Sequence, residues 1–399
     1  MQLLTGDTYW PTTLTKPVEY PRLNQDIRTD VLIVGGGMSG ALISHMLTKN
    51  GVDVTLLEKN GLAEGSSSAN TGLLQFSNDM MLCDMIDAIG EEAAVTFYRC
   101  CADSVRQLQE IAAGLPFSAD LFPRSSLYYA STKPEVPKLR REYETLKAHG
   151  FAVEWLEEEA IAARLPFRKA AALLTHGDAE VNPYRFVIGL LEQARDQGAR
   201  IYEHSQVKHR EKKDARFIVH TDQAQIEARR IIYATGYEPP HLGRLIKPNL
   251  NRSYAIATKP VPSLDSWQQR WMIWETARPY LYLRTTKDNR VIVGGLDEEE
   301  AWPEQGSGER RQHARKLREK AQELFPDLPL EVEFAWSATF GESLDGLPFI
   351  GCLPEEPDVF YCLGYGGNGT VYSQIAASIM LAALRNEAHP AAYTVRLGR

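Results

Sequence analysis

The sequence predicts an α/β chain in which a βαβ unit is joined to a second, α+β unit built on an antiparallel sheet. Three observations predict it. The run Asp30–Val34 ends in glycines and leads into helical spacing over Met38–Asn50, then a second apolar run at Val52–Leu57: strand, tight turn, helix, strand. From Asn251 to Gly295 the chain turns strand-rich and aromatic, with Tyr254, Trp267, Trp271, Trp274, Tyr280 and Tyr282. Its 399 residues, 44% hydrophobic and 24% charged, give room for two ordinary soluble domains and disfavour disordered or coiled-coil readings.

Met1–Thr29, with Pro11, Pro17 and Pro21 and no sustained periodicity, reads as an arm packed over a domain. Beyond the βαβ unit, Met81, Met85, Ile86 and Ile89, then Val105, Leu108 and Ile111, predict helix between Met80 and Ala113. A strand at Ser126–Ala130 and a charged helix at Glu135–His149 follow. Asn182-Pro183 predicts a helix start, because Asn caps free N–H groups and Pro lacks the N–H that a first turn leaves unpaired; Gly198 ends that helix. Strands are expected near Ile201–Tyr202, Arg216–Thr221 and Ile231–Ala234, a charged helix at Glu309–Phe325, a strand at Val332–Trp336 and a small-residue helix at Val371–Leu384.

Gly35-Gly36-Gly37-Met38-Ser39-Gly40 is a G-x-G-x-x-G between strand and helix. Gly35 permits the tight turn, Gly37 lets a pyrophosphate approach the backbone, and Gly40 lets the helix pack closely on the strand. The helix N-terminus offers free N–H groups and its positive dipole end to the phosphates. Glu58 ends the second strand 18 residues beyond Gly40, where a carboxylate accepts hydrogen bonds from ribose hydroxyls. The unit serves NAD and FAD alike, and three further segments bear on the choice. They are the hydroxyl-rich Gly65–Gly72, the strand end Ile231–Gly236, and Gly364–Gly369 ahead of the last helix.

In chain order these segments, with Asp345-Gly346-Leu347-Pro348-Phe349-Ile350-Gly351, resemble the FAD-dependent amine and amino-acid oxidoreductases of the D-amino-acid oxidase family, which includes glycine, sarcosine and gamma-glutamylputrescine oxidases. Asp30–Glu58 resembles the FAD-binding start, Gly65–Gly72 the flavin-side serine loop and Ile231–Gly236 the A-T-G strand. Asp345–Gly351 resembles the D-G-x-P-x-I-G turn and Gly364–Gly369 the C-terminal flavin loop. The arm, through Tyr9-Trp10, Leu14, Pro21-Arg22-Leu23 and Asp26-Ile27, is similar to gamma-glutamylputrescine oxidase-like members.

The resemblance implies a Rossmann-type (GR2-like) FAD-binding domain drawn from residues 1–90, 150–245 and 340–399, with an inserted antiparallel-sheet substrate domain from 91–149 and 246–339. It places adenine and ribose near Glu58, Lys59 and Val207, and the pyrophosphate at Gly35, Gly37, Met38, Ser39 and Gly40. Ser66, Ser67, Asn70, Thr71, Gly72 and Leu73 would hold the phosphate and ribityl region, Ala234, Thr235, Gly236 and Gly341 would complete the cradle, and Gly367, Asn368, Gly369 and Thr370 would face the flavin pyrimidine edge. The activity it implies is hydride transfer from a carbon beside nitrogen to flavin N5, giving an imine that hydrolyses.

Two features depart from the family. Relatives that grip a substrate carboxylate carry an arginine shortly before the D-G-x-P turn, where Thr339 and Phe340 stand, or a lysine after the C-terminal G-x-G, where Thr370 and Val371 stand. A carboxylate buried without a cation costs several kcal/mol, so simple amino acids become poorer candidates unless another arginine substitutes. In Tyr280-Leu281-Tyr282-Leu283-Arg284 the period of two sets Tyr280, Tyr282 and Arg284 on one face, offering two phenols and a guanidinium as catalytic or anchoring groups, and Tyr254 is a further candidate. Trp267, Trp271 and Trp274 read as core before cage. No cysteine lies in Phe334–Phe340, where sarcosine oxidases attach flavin, so the FAD is expected to be noncovalent.

The net charge of −8 removes the electrostatic footprint of a nucleic-acid partner. Five cysteines without C-x-x-C or Cys/His spacing read as reduced thiols in a cytoplasmic protein, with no metal site. No secretory signal is visible, and the glycines within Val31–Leu47 argue against a membrane span. His45, in the first helix, reads as a packed or surface histidine, and His176 and His241 as turn residues with no partner visible in sequence. A small-molecule amine or amino acid is the expected partner. A protein with structural flavin and a partner-binding second domain, or an amino-acid oxidase with an unusual carboxylate anchor, stays open, as do the electron acceptor and the oligomeric state.

Overall fold

The two apolar runs of the βαβ unit become the centre of an eight-stranded sheet. The structure, a computed structural model, describes residues 3–238, 249–267, 269–299 and 306–399. The sheet runs in the order Phe349–Leu353, Glu356–Leu363, Gln225–Gly236, Ile27–Val34, Val54–Leu57, Arg200–Tyr202, with Arg216–His220 paired to Gln225–Gly236 and His209–Lys213 paired to Arg216–His220. The five strands from Glu356–Leu363 to Arg200–Tyr202 are parallel, as a βαβ crossover requires. Buried on both faces, Val54–Leu57 reads as an unbroken apolar run. Helices Met38–Lys49, Pro183–Asp196 and Gly369–Leu384 cover it, burying Leu42, Leu190 and Ile375 among others, each contributing roughly 1.5–3 kcal/mol. As expected, Asn182 caps the second of these by accepting from the Arg185 N–H at 3.1 Å.

The aromatic stretch builds a ten-stranded sheet in the order Leu4–Gly6, Val332–Glu342, Asn249–Thr258, Val291–Glu298, Leu281–Thr285, Met272–Glu275, Phe122–Tyr129, Ala171–Glu180, Leu73–Leu74, with Val153–Glu157 paired to Ala171–Glu180. It is antiparallel except where Met272–Glu275 meets Phe122–Tyr129. One face, with Ile256, Leu281, Leu283 and Val293, packs under helix Ser307–Leu324 through Leu317 and Ala321. The other, with Ala255, Trp274 and Trp336, faces the first sheet and its helices.

Two strands fall across the domain division read from the sequence. Val153–Glu157 and Ala171–Glu180, which the division by sequence assigns to the FAD part, run inside the ten-stranded sheet. Ala171–Glu180 is buried at both ends, so it shows none of the alternation that marks a half-exposed strand. The boundary at 245/246 lies outside the described residues, as does His241. The arm contributes a strand, Leu4–Gly6, and the helical stretch after Met80 is two helices, Leu82–Ile89 and Glu91–Ala113, broken at Gly90 with φ +86°. All five cysteines are free, and among the described residues no helix is long and apolar enough to cross a membrane.

Candidate functional site

The glycine turn is built as its spacing demands. Gly35 has φ +114°, and a Cβ there would lie 2.4 Å from the Ala234 carbonyl oxygen. A Cβ on Gly40 would lie 1.9 Å from the Gly35 carbonyl oxygen, so helix and strand touch backbone to backbone. Gly37 opens helix Met38–Lys49 beside Ser67, whose hydroxyl accepts from the Met38 N–H at 2.9 Å. Glu58 accepts from the N–H groups of Gly36 and Asn60, both at 2.8 Å, and four lone-pair sites leave room for further donors.

A cavity of about 1440 Å³ opens above this turn and runs to the second sheet. Ligand sites for one small molecule take roughly 300–1,000 Å³, so this one has space for a dinucleotide and a substrate. Of the expected cradle, Gly35, Gly37, Met38, Ser39, Glu58, Lys59 and Val207 line it; Lys59 is ion-paired with Glu238. Ser66, Ser67, Asn70, Thr71 and Leu73 line it too, as do Ala234, Thr235 and Gly236 and, at the other end, Gly367, Asn368, Gly369 and Thr370. Gly40, Gly72 and Gly341 lie outside the cavity wall, Gly40 in the helix-packing role its spacing predicts. None is a lining residue: the first packs helix on strand, the second passes Val181 and Arg284 too closely for any side chain, and the third is bonded through its backbone to Tyr237.

The serine loop is held from behind. Ser66–Ala69 forms one helical turn, and the next carbonyls point out of the cavity into buried donors. Trp336 Nε1 donates to Ala69 at 2.9 Å, Trp10 Nε1 to Asn70 at 2.6 Å and Arg284 Nε to Thr71 at 2.6 Å. The side chain of Asn70 closes the turn by accepting from the Gly72 N–H at 2.6 Å.

The substrate-side candidates divide. Tyr280 and Tyr282 line the cavity with Trp274, which stacks on Tyr128 at a centroid distance of 3.7 Å. Arg284 shares their face, yet it ends outside the lining, 2% exposed, donating to Thr71 and to the Val181 carbonyl at 2.7 Å, and it cannot anchor a substrate from there. Tyr254 lies on the cavity wall between Ser253 and Ala255, but its side chain points away: its ring stacks on His313 at 3.8 Å and its hydroxyl donates to Glu298 at 2.8 Å. Trp267 and Trp271 are core, the former stacked on Phe325. His45 is buried in the first helix, which pushes its pKa down to about 4.

Two acids that the sequence reading missed share this end. Asp79 lines it within hydrogen-bond reach of Tyr280 and the Gly367 backbone, and burial raises its pKa against the pull of Arg278. Asp297, bonded to Ser253, is pushed up to about 6 by burial and by Asp79. Behind the wall, burial and these two acids push Glu342 up to about 7. One signal was available. Gly294 and Gly295 interrupt a strand just before Asp297, and glycines there mark a close approach; Gly294 lies under the Tyr282 ring.

The family described as FAD dependent oxidoreductase matches residues 30–383. A putative Rieske 2Fe-2S iron-sulfur protein of Bacillus subtilis (strain 168) is 24% identical over 96% of this chain and 74% of its own length. The gamma-glutamylputrescine oxidoreductase of Escherichia coli (strain K12) is 26% identical over 96% of this chain and 89% of its own. Among solved structures, glycine oxidase from Geobacillus kaustophilus superposes with a TM-score of 0.79 at 23% identity, covering 93% of this chain and 99% of that one, which shows the shared fold.

Proposed function

The chain belongs to the family of FAD-dependent oxidoreductases, and from that premise we propose that it oxidises a carbon–nitrogen bond of an amine or amino acid to an imine that water hydrolyses. FAD, when bound, supplies at N5 the acceptor for a hydride from the carbon beside nitrogen. The Gly37 N–H and the first turn of helix Met38–Lys49 suit the diphosphate, and Gly37 carries no side chain to obstruct its approach. The N-terminus of helix Gly369–Leu384 faces the cavity and favours negative charge on a ring edge there.

Trp274, Tyr280 and Tyr282 wall the substrate end. Desolvation between aromatic rings lowers the pKa of a bound amine and keeps its lone pair free. Ser253 offers an acceptor for its N–H groups. No cysteine lines the cavity among the described residues, which supports noncovalent attachment. The similarity to the Escherichia coli gamma-glutamylputrescine oxidoreductase supports an amine-type substrate.

The observation that carries the reading is one continuous cavity, floored by the glycine turn and ending between aromatic walls. The purified protein should absorb near about 450 nm, as flavoproteins do, and bleach when an amine is added without oxygen. A yellow protein that no member of a broad amine and amino-acid panel bleaches would overturn the assignment.

A further inference from the structure

We propose that Asp79 and Asp297 select a substrate carrying a second positive charge besides the amine that reacts, so that the preferred class is an α,ω-diamine or polyamine. This rests on the amine reading above. The cavity divides by charge: its basic lining residues among those described, Lys59, Lys208, His209, Arg210 and Lys212, all stand on segments of the eight-stranded sheet and its connections. The end walled by the ten-stranded sheet offers Asp79 and Asp297 and no cation among the described residues.

Asp79 is engaged by Tyr280 and Gly367, but Asp297 Oδ1 is buried within the wall with no hydrogen-bond partner. A carboxylate beside the cavity whose charge is not offset there by a donor acts on a cation in that cavity through its field. Glu342 adds a third carboxyl behind these two. Arg278 is the guanidinium that all three feel, and it stands outside the lining, exposed, over the Tyr280 ring at 4.7 Å with a bond to the Ala277 carbonyl. Asp79 and Asp297 in the wall, with the guanidinium outside it, repel a substrate carboxylate and attract a cation. Trp274, Tyr280 and Tyr282 add ring faces that an ammonium favours.

The test titrates the holoenzyme, without oxygen, with an α,ω-diaminoalkane, the n-alkylamine of equal length and the ω-amino acid of equal length, following the flavin spectrum for binding and reduction. The diamine is expected to half-saturate at a concentration about tenfold or more below the alkylamine, with the amino acid weakest. Asp297→Asn shrinks the diamine's advantage about tenfold while FAD content is retained; Asp79→Asn serves if the first variant does not fold. An alkylamine as effective as the diamine overturns the proposal and leaves amine oxidation standing. A preference for the amino acid that Arg278→Ala abolishes also overturns it, moving a carboxylate grip to Arg278. No spectral response to any of the three overturns both this proposal and the amine reading.

Discussion

Arg284 donates from Nε to the Thr71 carbonyl at 2.6 Å and from Nη2 to the Val181 carbonyl at 2.7 Å, locking the serine loop to the start of helix Pro183–Asp196. Arg284→Ala strands both carbonyls in a buried site, at about 1–3 kcal/mol each. Apo stability should fall by about 2–4 kcal/mol, and the FAD Kd should rise about tenfold as the loop loosens, with Lys at this position recovering part of both. Denaturant melts and fluorescence titration with FAD read the two effects. Normal stability and FAD affinity alongside lost substrate reduction would restore Arg284 as a substrate anchor.

Gly40→Ala sets a methyl group against the Gly35 carbonyl oxygen, where backbone meets backbone and neither side can yield. Helix Met38–Lys49 must lift from the strand, which moves the N–H groups at its start. The FAD Kd should rise about 100-fold in calorimetric titration, with the variant still folded by circular dichroism. Wild-type affinity would mean that the diphosphate is held elsewhere.

What was legible in the sequence follows the range of the forces involved. The βαβ turn, Glu58 and the Asn182 cap depend on neighbours within a few residues or one adjacent strand, and each stands where the spacing puts it. Strand alternation correctly groups Tyr280, Tyr282 and Arg284 on one face, but it carries no information about how far along that face the cavity extends. Arg284 lies past its floor, where Thr71 crosses. Tyr254 fails for a related reason: a strand buried on both sides gives two apolar faces, and only the position of helix Ser307–Leu324 decides which one the ring occupies. Asp79 escaped because it lies in a loop without periodicity and meets Gly367 across the fold.

Glu342 makes stability depend on pH. Folding raises its pKa from 4.5 to about 7, because burial, Asp79 and Asp297 outweigh Arg278; Asn251 donates to it at 3.3 Å, and Tyr365 pairs with it through the backbone. The folded chain therefore binds a proton that the unfolded chain releases. The contribution is fully present below pH 4.5 and lost as pH rises through about 7. Glu342→Gln should match wild type near pH 4.5 and exceed it at pH 8, by about 1 kcal/mol after allowing for the solvent that reaches the group. Thermal melts of the apo protein across that range check the sign, and a variant that is less stable at pH 8 contradicts it.

Gly294 stands directly opposite Tyr282 in the antiparallel pair, and a Cβ there would lie 2.3 Å from the phenol oxygen. Because the ring crosses the bare backbone, it lies flat along the wall. Gly294→Ala must push it into the space a substrate would fill, while the glycine cradle, on the other sheet, is untouched. KM should rise about tenfold or more with FAD affinity within about twofold of wild type. A double-mutant cycle separates this from general damage to the strand: in a Tyr282→Leu background the same alanine meets no ring, so its penalty should shrink by at least about 1 kcal/mol. If the two changes are additive, Tyr282 is not what Gly294 makes room for, and the shape of the wall has another origin.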